Sequence, residues 1–477
     1  MMVQERSRNT ISLGKHPLCG ILHGHSLTAM MQPILSIVQK RIVGYEGLAR
    51  GIHPLDGGLV PPLKLFSWAD QLDAQMGIPS RHGIGPNASS IPSAAVPACT
   101  GTDELRATHD SAHHVVALDR LCREKCLEGF RALYAADPET HLFLNLDASV
   151  IDGTAGSDHL LRQVDAAGIP HENVIVEISE GGVHSLSSLL KFVYRYRDLG
   201  FLIALDDLGS GFCNLDRISL IKPDLIKLDR SLIQGIETSF HQQEVFRCLV
   251  GLANKVGALV VAEGIETREE LHAAIRFGAH FIQGYYFARP GPPASMAKLP
   301  LSEMMEEAAT GYVRHATDRL DREREIRSRR DDTLNDWMRE LEQVRSGNRE
   351  RVLTSLIHNM TDTDCECVYL LNGSGIQTTE TLFRNATGVT CRNRGHVFTP
   401  THAGADNSMK RYFHELMNAG TGRYVSEPYV SHATGTVCVT HSRLTRGVDG
   451  EAYVLCVDFR LTDANADTTI GSRRNDE

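Results

Sequence analysis

The chain has 477 residues, 42% hydrophobic and 23% charged, with a formal net charge of −10. That length suggests two or three domains, and the composition supports an ordinary buried core. The acidic balance excludes a bulk binder of duplex nucleic acid, which carries a basic stripe, but not a small phosphate ligand, because bound cations invert local charge.

The N-terminus lacks a signal-peptide stretch, and no segment reads as a membrane span, so a cytoplasmic protein is expected. The eleven cysteines are scattered and odd in number. Cys365 and Cys367 are too close for a CxxC motif, so reduced thiols are expected.

Residues 1–24 read as an N-terminal extension. From 25 to 298, short apolar runs alternate with helical patterns. The strand candidates are Gln32–Val38, Ile42–Leu48, Leu142–Leu146, Val174–Ile178, Leu202–Asp206, Leu225–Leu228, Leu259–Ala262 and Phe281–Gln283. Several are apolar on both faces, as buried parallel strands are. Helices are expected after His184, over about Gln242–Val256, and from Thr267, where Thr267 and Glu270 form a capping box and Gly278 supplies the stop. This repeated alternation predicts an α/β fold, a (β/α)8 TIM-like barrel.

Residues 70–113 look inserted, being rich in Pro, Ser, Gly and Ala and lacking periodicity. A tolerated, mobile surface loop is the plainer reading; a lid is the alternative. Residues 299–360 form a charged helical linker in which Leu334, Trp337, Leu341 and Val344 repeat at 3-4-3 spacing. That stripe suits either a two-helix seam or packing on a neighbouring domain. Residues 361–462 read as a small α/β domain, with strands at Val368–Leu371 and Tyr453–Asp458 and a helix at Met409–Asn418 that ends before Gly420. Residues 463–477 read as a disordered tail. No internal repeat is present.

The polar residues carry the function. Glu46 is placed near the end of the second strand. Asn145, Glu177, Asp206, Asp207, Lys227, Glu263 and Gln283 lie at or near the ends of later strands. A buried charge costs several kcal/mol unless paired or metal-bound, so the set is hard to explain as packing. In a barrel such ends gather on the catalytic face. Glu46, Asn145, Glu177, Asp206 and Asp207 are oxygen donors, which suit Mg2+ or Mn2+ better than zinc. Adjacent aspartates permit a two-metal site that clamps a phosphoryl displacement. Lys227 adds a cation for the water or the transition state.

The sequence resembles the EAL-domain family of cyclic di-GMP phosphodiesterases. The matching elements are QPI at 32–34, YEGLAR at 45–50, FLNLD at 143–147, VEISE at 176–180, DDLGSGFCNL at 206–215, KPDLIKLDR at 222–230, AEGIET at 262–267 and QGYYFARP at 283–290. The resemblance implies an EAL-type barrel, a Mg2+ or Mn2+ requirement, and hydrolysis of cyclic di-GMP to linear pGpG. It implies metal ligands at Glu46, Asn145, Glu177, Asp206 and Asp207, and water-holding or activating groups at Lys227 and Glu263. It places substrate contacts at Gln32, Leu48, Arg50 and Gln283, makes Glu180 the anchor of the loop after Asp207, and implies a homodimer. Gly47 departs from the family's usual alanine and should loosen the backbone beside Glu46. The C-terminal segment is similar to PAS/Cache-like sensor domains, through YVSEPYVSHATGTVCVTHS at 424–442 and DGEAYVLCVDF at 449–459. That implies an unidentified small-molecule or protein input; Tyr429, Ser431, Thr440 and Tyr453 are read as residues of a half-buried sheet.

Two other readings compete. A non-catalytic receptor for the dinucleotide would lack a metal ligand, the lysine or the loop glutamate, all kept here. A glycoside hydrolase would also use paired carboxylates on a barrel, but it usually presents stacking aromatics, and aromatic residues are 6% of this chain. Asp229 is expected to bond Arg230 or a backbone amide, Glu266 to be a supporting or first-turn acid, and His23, His25 and the His113–His114 pair to be exposed.

Overall fold

The computed structural model describes residues 16–76, 114–147, 151, 158–179, 185–210, 215–360, 364–384, 401–418, 422–431 and 434–461. It divides into two compact units, Met1–Thr310 and Gly311–Glu477.

The first unit holds β1 (Leu27–Ser36), β2 (Arg41–Ile52), β3 (Leu59–Val60), β4 (His141–Leu146), β5 (Val174–Ser179), β6 (Leu202–Leu208), β7 (Leu225–Leu228), β8 (Leu259–Ala262) and β9 (Phe281–Ile282). From β2 through β4 to β9 each strand runs parallel to the next. β1 is antiparallel to both β2 and β9 and so closes an eight-stranded barrel, while β3 pairs only with the end of β2. The expected barrel is present, with one difference: its first strand is reversed. Only residues 37–40 join β1 to β2, too few for the crossover a parallel pair requires. Lys40 takes a φ of 54° there, and Val38, expected in the strand, is 76% exposed in the turn.

Every barrel strand sends one apolar side chain into an interior layer: Ile34, Val43, Phe143, Ile175, Ala204, Leu225, Val261 and Phe281. The larger core lies outside the strands, between sheet and helices. The helix Arg268–Arg276 carries the expected capping box between Thr267 and Glu270. Residues 70–75, expected in a surface loop, are helical and complete the helix Pro62–Gln75. Residues 77–113 lie outside the described residues. Asp73 accepts hydrogen bonds from the amides of His114 and Val115 and caps the helix His114–Ala136. His114 is therefore not a free surface histidine: its Nδ1 lies 2.7 Å from Asp73.

The second unit is mostly sheet. Its strands are β10 (Cys365–Asn372), β11 (Leu382–Phe383), β12 (Arg423–Val425), β13 (Tyr429–Val430), β14 (Val437–Arg446) and β15 (Ala452–Arg460). They are antiparallel in the order β11-β10-β15-β14-β12, with β13 on β14. The expected C-terminal helix begins at Arg411. Leu334, Trp337 and Leu341, from the helix Leu301–Glu342, pack with Leu353 and Ile357 against Val368, Leu370, Val439, Leu455 and Val457. Three of the four residues of the 3-4-3 stripe thus cover the sheet of their own unit, while Val344 lies beyond the helix. Tyr429, Ser431, Thr440 and Tyr453 are sheet residues or their neighbours, and the Tyr429 hydroxyl lies 2.9 Å from that of Thr440. No described helix is long and apolar enough to cross a membrane. The described cysteines are free thiols.

Candidate active site

The alternation of a β-strand builds the site. Asn145, Glu177, Asp206, Lys227, Glu263 and Gln283 each stand two residues beyond a member of the apolar layer: Phe143, Ile175, Ala204, Leu225, Val261 and Phe281. On the reversed β1, Gln32 precedes Ile34 by two. On β2 the interval from Val43 to Glu46 is three. A register shift opposite Ile34 and Leu35 supplies the extra residue, and a bulge of this kind re-aims the side chains beyond it. Each of the eight strands therefore contributes one polar group to a single layer above the apolar one. Glu46 lies mid-strand, not near the strand end as expected, because β2 continues to Ile52.

Lys227 is the hub. Its Nζ is 2.6 Å from Glu177 Oε1, 2.6 Å from Glu263 Oε1, 3.2 Å from Asp206 Oδ1 and 3.7 Å from Glu46 Oε2. Asn145 Nδ2 donates to Glu46 Oε1 at 2.9 Å, and Gln283 Nε2 to Glu46 Oε2 at 2.6 Å. Gln32 accepts from Gln283 and donates to the Ala288 carbonyl.

Burial and mutual repulsion set the protonation. Desolvation raises the Glu177 carboxyl well above its usual range despite Lys227. Glu263 is pushed up to about 8 by desolvation, with Asp206 and Glu46 adding to it against the pull of Lys227. Asp207 is raised to about 6 by desolvation and then by Asp206. For Glu46, desolvation is outweighed by Lys227, Gln283, Asn145 and Arg50, which leave it lowered. Lys227 is desolvated too, yet its four carboxylates hold it well above the ordinary range.

A cavity of about 260 Å3 opens over this layer, lined by Gln32, Glu46, Asp206, Asp207, Lys227, Arg230, Glu263, Gly264, Glu266, Gln283, Gly284 and Tyr285. Leu48 and Arg50 are outside this lining; they follow Glu46 at alternate positions on β2, and Arg50 donates to the Ala49 carbonyl. Glu180 lies outside the described residues. Asp229 accepts from the Ser231 amide at 2.9 Å, as the backbone-amide reading expected. Gly47 does not loosen the strand: a Cβ there would sit 2.8 Å from Cys126 Cβ, so the neighbouring helix fills the space.

Arg230 and Tyr285 were missed as cavity-lining residues, and Glu266 was not recognised as Arg230's partner. Gly264 and Gly284, directly after Glu263 and Gln283, were the available signal. A Cβ on Gly284 would lie 2.0 Å from the Ile265 carbonyl oxygen, so the two segments can approach only there.

The donor set fits a hard divalent ion. Carboxylate oxygens of Asp206, Asp207 and Glu263 lie within 4.8 Å of one another. Glu177 Oε2 is buried with no hydrogen-bond partner among the described residues, a costly state for a carboxylate that a cation relieves.

Residues 98–290 match the family model described as EAL domain. The uncharacterized EAL-domain containing protein YkuI of Bacillus subtilis (strain 168) is 26% identical over 317 residues, 64% of this chain and 75% of that protein. Two Pseudomonas aeruginosa proteins named cyclic di-GMP phosphodiesterase are also similar. RocR is 33% identical over 153 residues, 32% of this chain and 39% of its own length. NbdA is 26% identical over 277 residues, 58% of this chain and 30% of its own length. This chain thus spans well under half of either. The crystal structure of Bacillus subtilis YkuI, in complex with substrate c-di-GMP and calcium, shares the fold with a TM-score of 0.68 at 22% identity, covering 93% of this chain and 98% of that one.

Proposed function

From a chain that carries an EAL domain, we propose an enzyme that hydrolyses one phosphodiester of cyclic di-GMP to linear pGpG with Mg2+ or Mn2+. The observation that carries this reading is the polar layer itself. It combines an acid set suited to divalent ions with a buried lysine and a carboxyl, Glu263, held near pH 8. YkuI's complex with c-di-GMP and calcium, and the names of RocR and NbdA, supply the substrate class.

Glu46, Asn145, Glu177, Asp206 and Asp207 would hold the ions, which when bound supply Lewis-acid stabilisation of charge developing on the phosphodiester. Glu263 takes one proton from the attacking water, an efficient role for a base titrating near the working pH. The water oxygen bonds to phosphorus, the bond to the 3′ oxygen breaks, and that oxygen takes a proton from solvent. Lys227 fixes Glu263 and Asp206. Gln283 orients Glu46 and is itself bonded to Gln32, and Gln32, Gln283, Leu48 and Arg50 make the substrate contacts. The second unit serves as a PAS-like regulatory input, and the active form is a cytoplasmic homodimer.

The test is purified full-length protein with cyclic di-GMP and either metal, followed by chromatography of pGpG. Turnover is expected, lost on EDTA and lost in Glu46→Ala. Binding of cyclic di-GMP with no pGpG under either metal would overturn the enzyme reading in favour of a receptor.

A further inference from the structure

The cavity has five carboxylates in its lining, Glu46, Asp206, Asp207, Glu263 and Glu266, against two cations, Lys227 and Arg230. Lys227 has three N–H donors, and four carboxylates surround it within 3.7 Å at 1% side-chain exposure. It has no donor left to offer an anion. Arg230 differs: its side chain is 44% exposed, and its only acceptor among the described residues is Glu266.

Arg230 is held with unusual care for a surface cation. Nη1 and Nη2 each meet one oxygen of Glu266 at 2.8 Å, a two-pronged fork that fixes the guanidinium plane. Glu266 is fixed in turn, since Glu270 accepts from its backbone N–H at 2.8 Å. The aliphatic stem of Arg230 lies on Gly264, where φ is +69° and a Cβ would be 2.6 Å from Arg230 Cβ and Cγ. An exposed ion pair contributes only about 0–1 kcal/mol to stability, so stability does not account for this arrangement. Holding the guanidinium in the wall of the cavity, with N–H groups that Glu266 does not use, does.

A cyclic dinucleotide carries two phosphodiesters, and the divalent site accounts for one. We propose that Arg230, oriented by Glu266 and Gly264, binds the phosphodiester that is not cut. Arg230 is thus a ligand-binding residue and Glu266 a positioning residue. This rests on the hydrolase reading given above.

The experiment compares full-length wild type with Arg230→Met, which keeps the stem over Gly264, and with Arg230→Lys, which keeps the charge but loses the fork. Binding of cyclic di-GMP is measured by calorimetry and turnover with Mg2+. Arg230→Met is expected to raise Kd and KM about ten- to a hundredfold, the range for one charged hydrogen-bonded contact, with kcat within twofold and the thermal midpoint unchanged. Arg230→Lys should recover part of the loss. Inhibition by GMP, which has a single phosphate, should change less than threefold. Unchanged Kd and KM would overturn the proposal and leave the hydrolase reading intact. So would a fall in kcat at constant KM, which would mean that Arg230 acts through Glu263, or an equal loss of GMP affinity, which would place it at the reacting phosphate. Failure of the wild type to bind cyclic di-GMP would sink the hydrolase reading, and this proposal with it.

Discussion

Lys227 neutralises part of a cluster that could not otherwise be buried. Replacing it by methionine leaves Glu46, Glu177, Asp206 and Glu263 facing one another without their cation. Removing one partner of a buried ionic network typically costs about 3–5 kcal/mol. Lys227→Met should therefore lower the thermal midpoint of the metal-free protein, recover part of it on adding Mg2+, and abolish pGpG formation. An unchanged metal-free midpoint would mean that the four acids are already neutral without it. The identities of these residues were legible in the sequence because each interrupts an apolar run. Their shared contact was not, since Lys227 and Glu46 are remote along the chain. Gly47 shows the same limit: its meaning lies in Cys126, on a helix that only the fold brings near.

The elements divide into those written in local sequence and those set by neighbours. β7 and β8 were read to the residue, as short apolar runs bounded by polar turns. The bulge on β2 was not, because one extra residue opposite β1 leaves no mark in composition. β14 shows what an element's surroundings add. His441 is 3% exposed, lies edge-on to Phe459 with ring centres 5.0 Å apart, and is held down to about 3 by desolvation and then by the charges of Arg330, Arg443 and Arg327. Between its ordinary value of 6.5 and that value, the unfolded chain takes up a proton and the folded chain does not. The associated stability is present above pH 6.5 and is lost as pH falls toward 3. Unfolding of the second unit, followed by Trp337 fluorescence in a Trp68→Phe background, should shift to lower temperature from pH 7 to pH 4. His441→Phe should flatten that slope; parallel slopes would show that other groups carry it.

At the scale of the whole molecule, the helix Leu301–Glu342 does not begin where the barrel ends. Leu301, Met305 and Ala308 are buried in the barrel's own core, and the first unit runs to Thr310. The linker expected from residue 299 therefore starts as part of the barrel unit. A protein ending at 310 should keep the barrel's thermal midpoint, whereas one ending at 300 should lose roughly 2 kcal/mol for each of the buried Leu301 and Met305 side chains. Equal midpoints would show that these residues contribute nothing to the barrel. Turnover by residues 1–310, compared with the full chain, then measures what the second unit adds.

The sequence by itself determined where the eight barrel strands lie, that they form a barrel, and which polar residues stand two positions beyond its apolar layer. Those facts depend on local alternation and on the residue types that apolar strands cannot tolerate without a function. Only the tertiary structure decided that β1 runs backwards, that Glu46 faces inward from mid-strand, that Lys227 is shared by four acids, and that Arg230 pairs with Glu266 over Gly264. The reason is physical. Burial, charge pairing and close approach are properties of pairs of residues distant in the chain, and their energies arise only once the barrel closes.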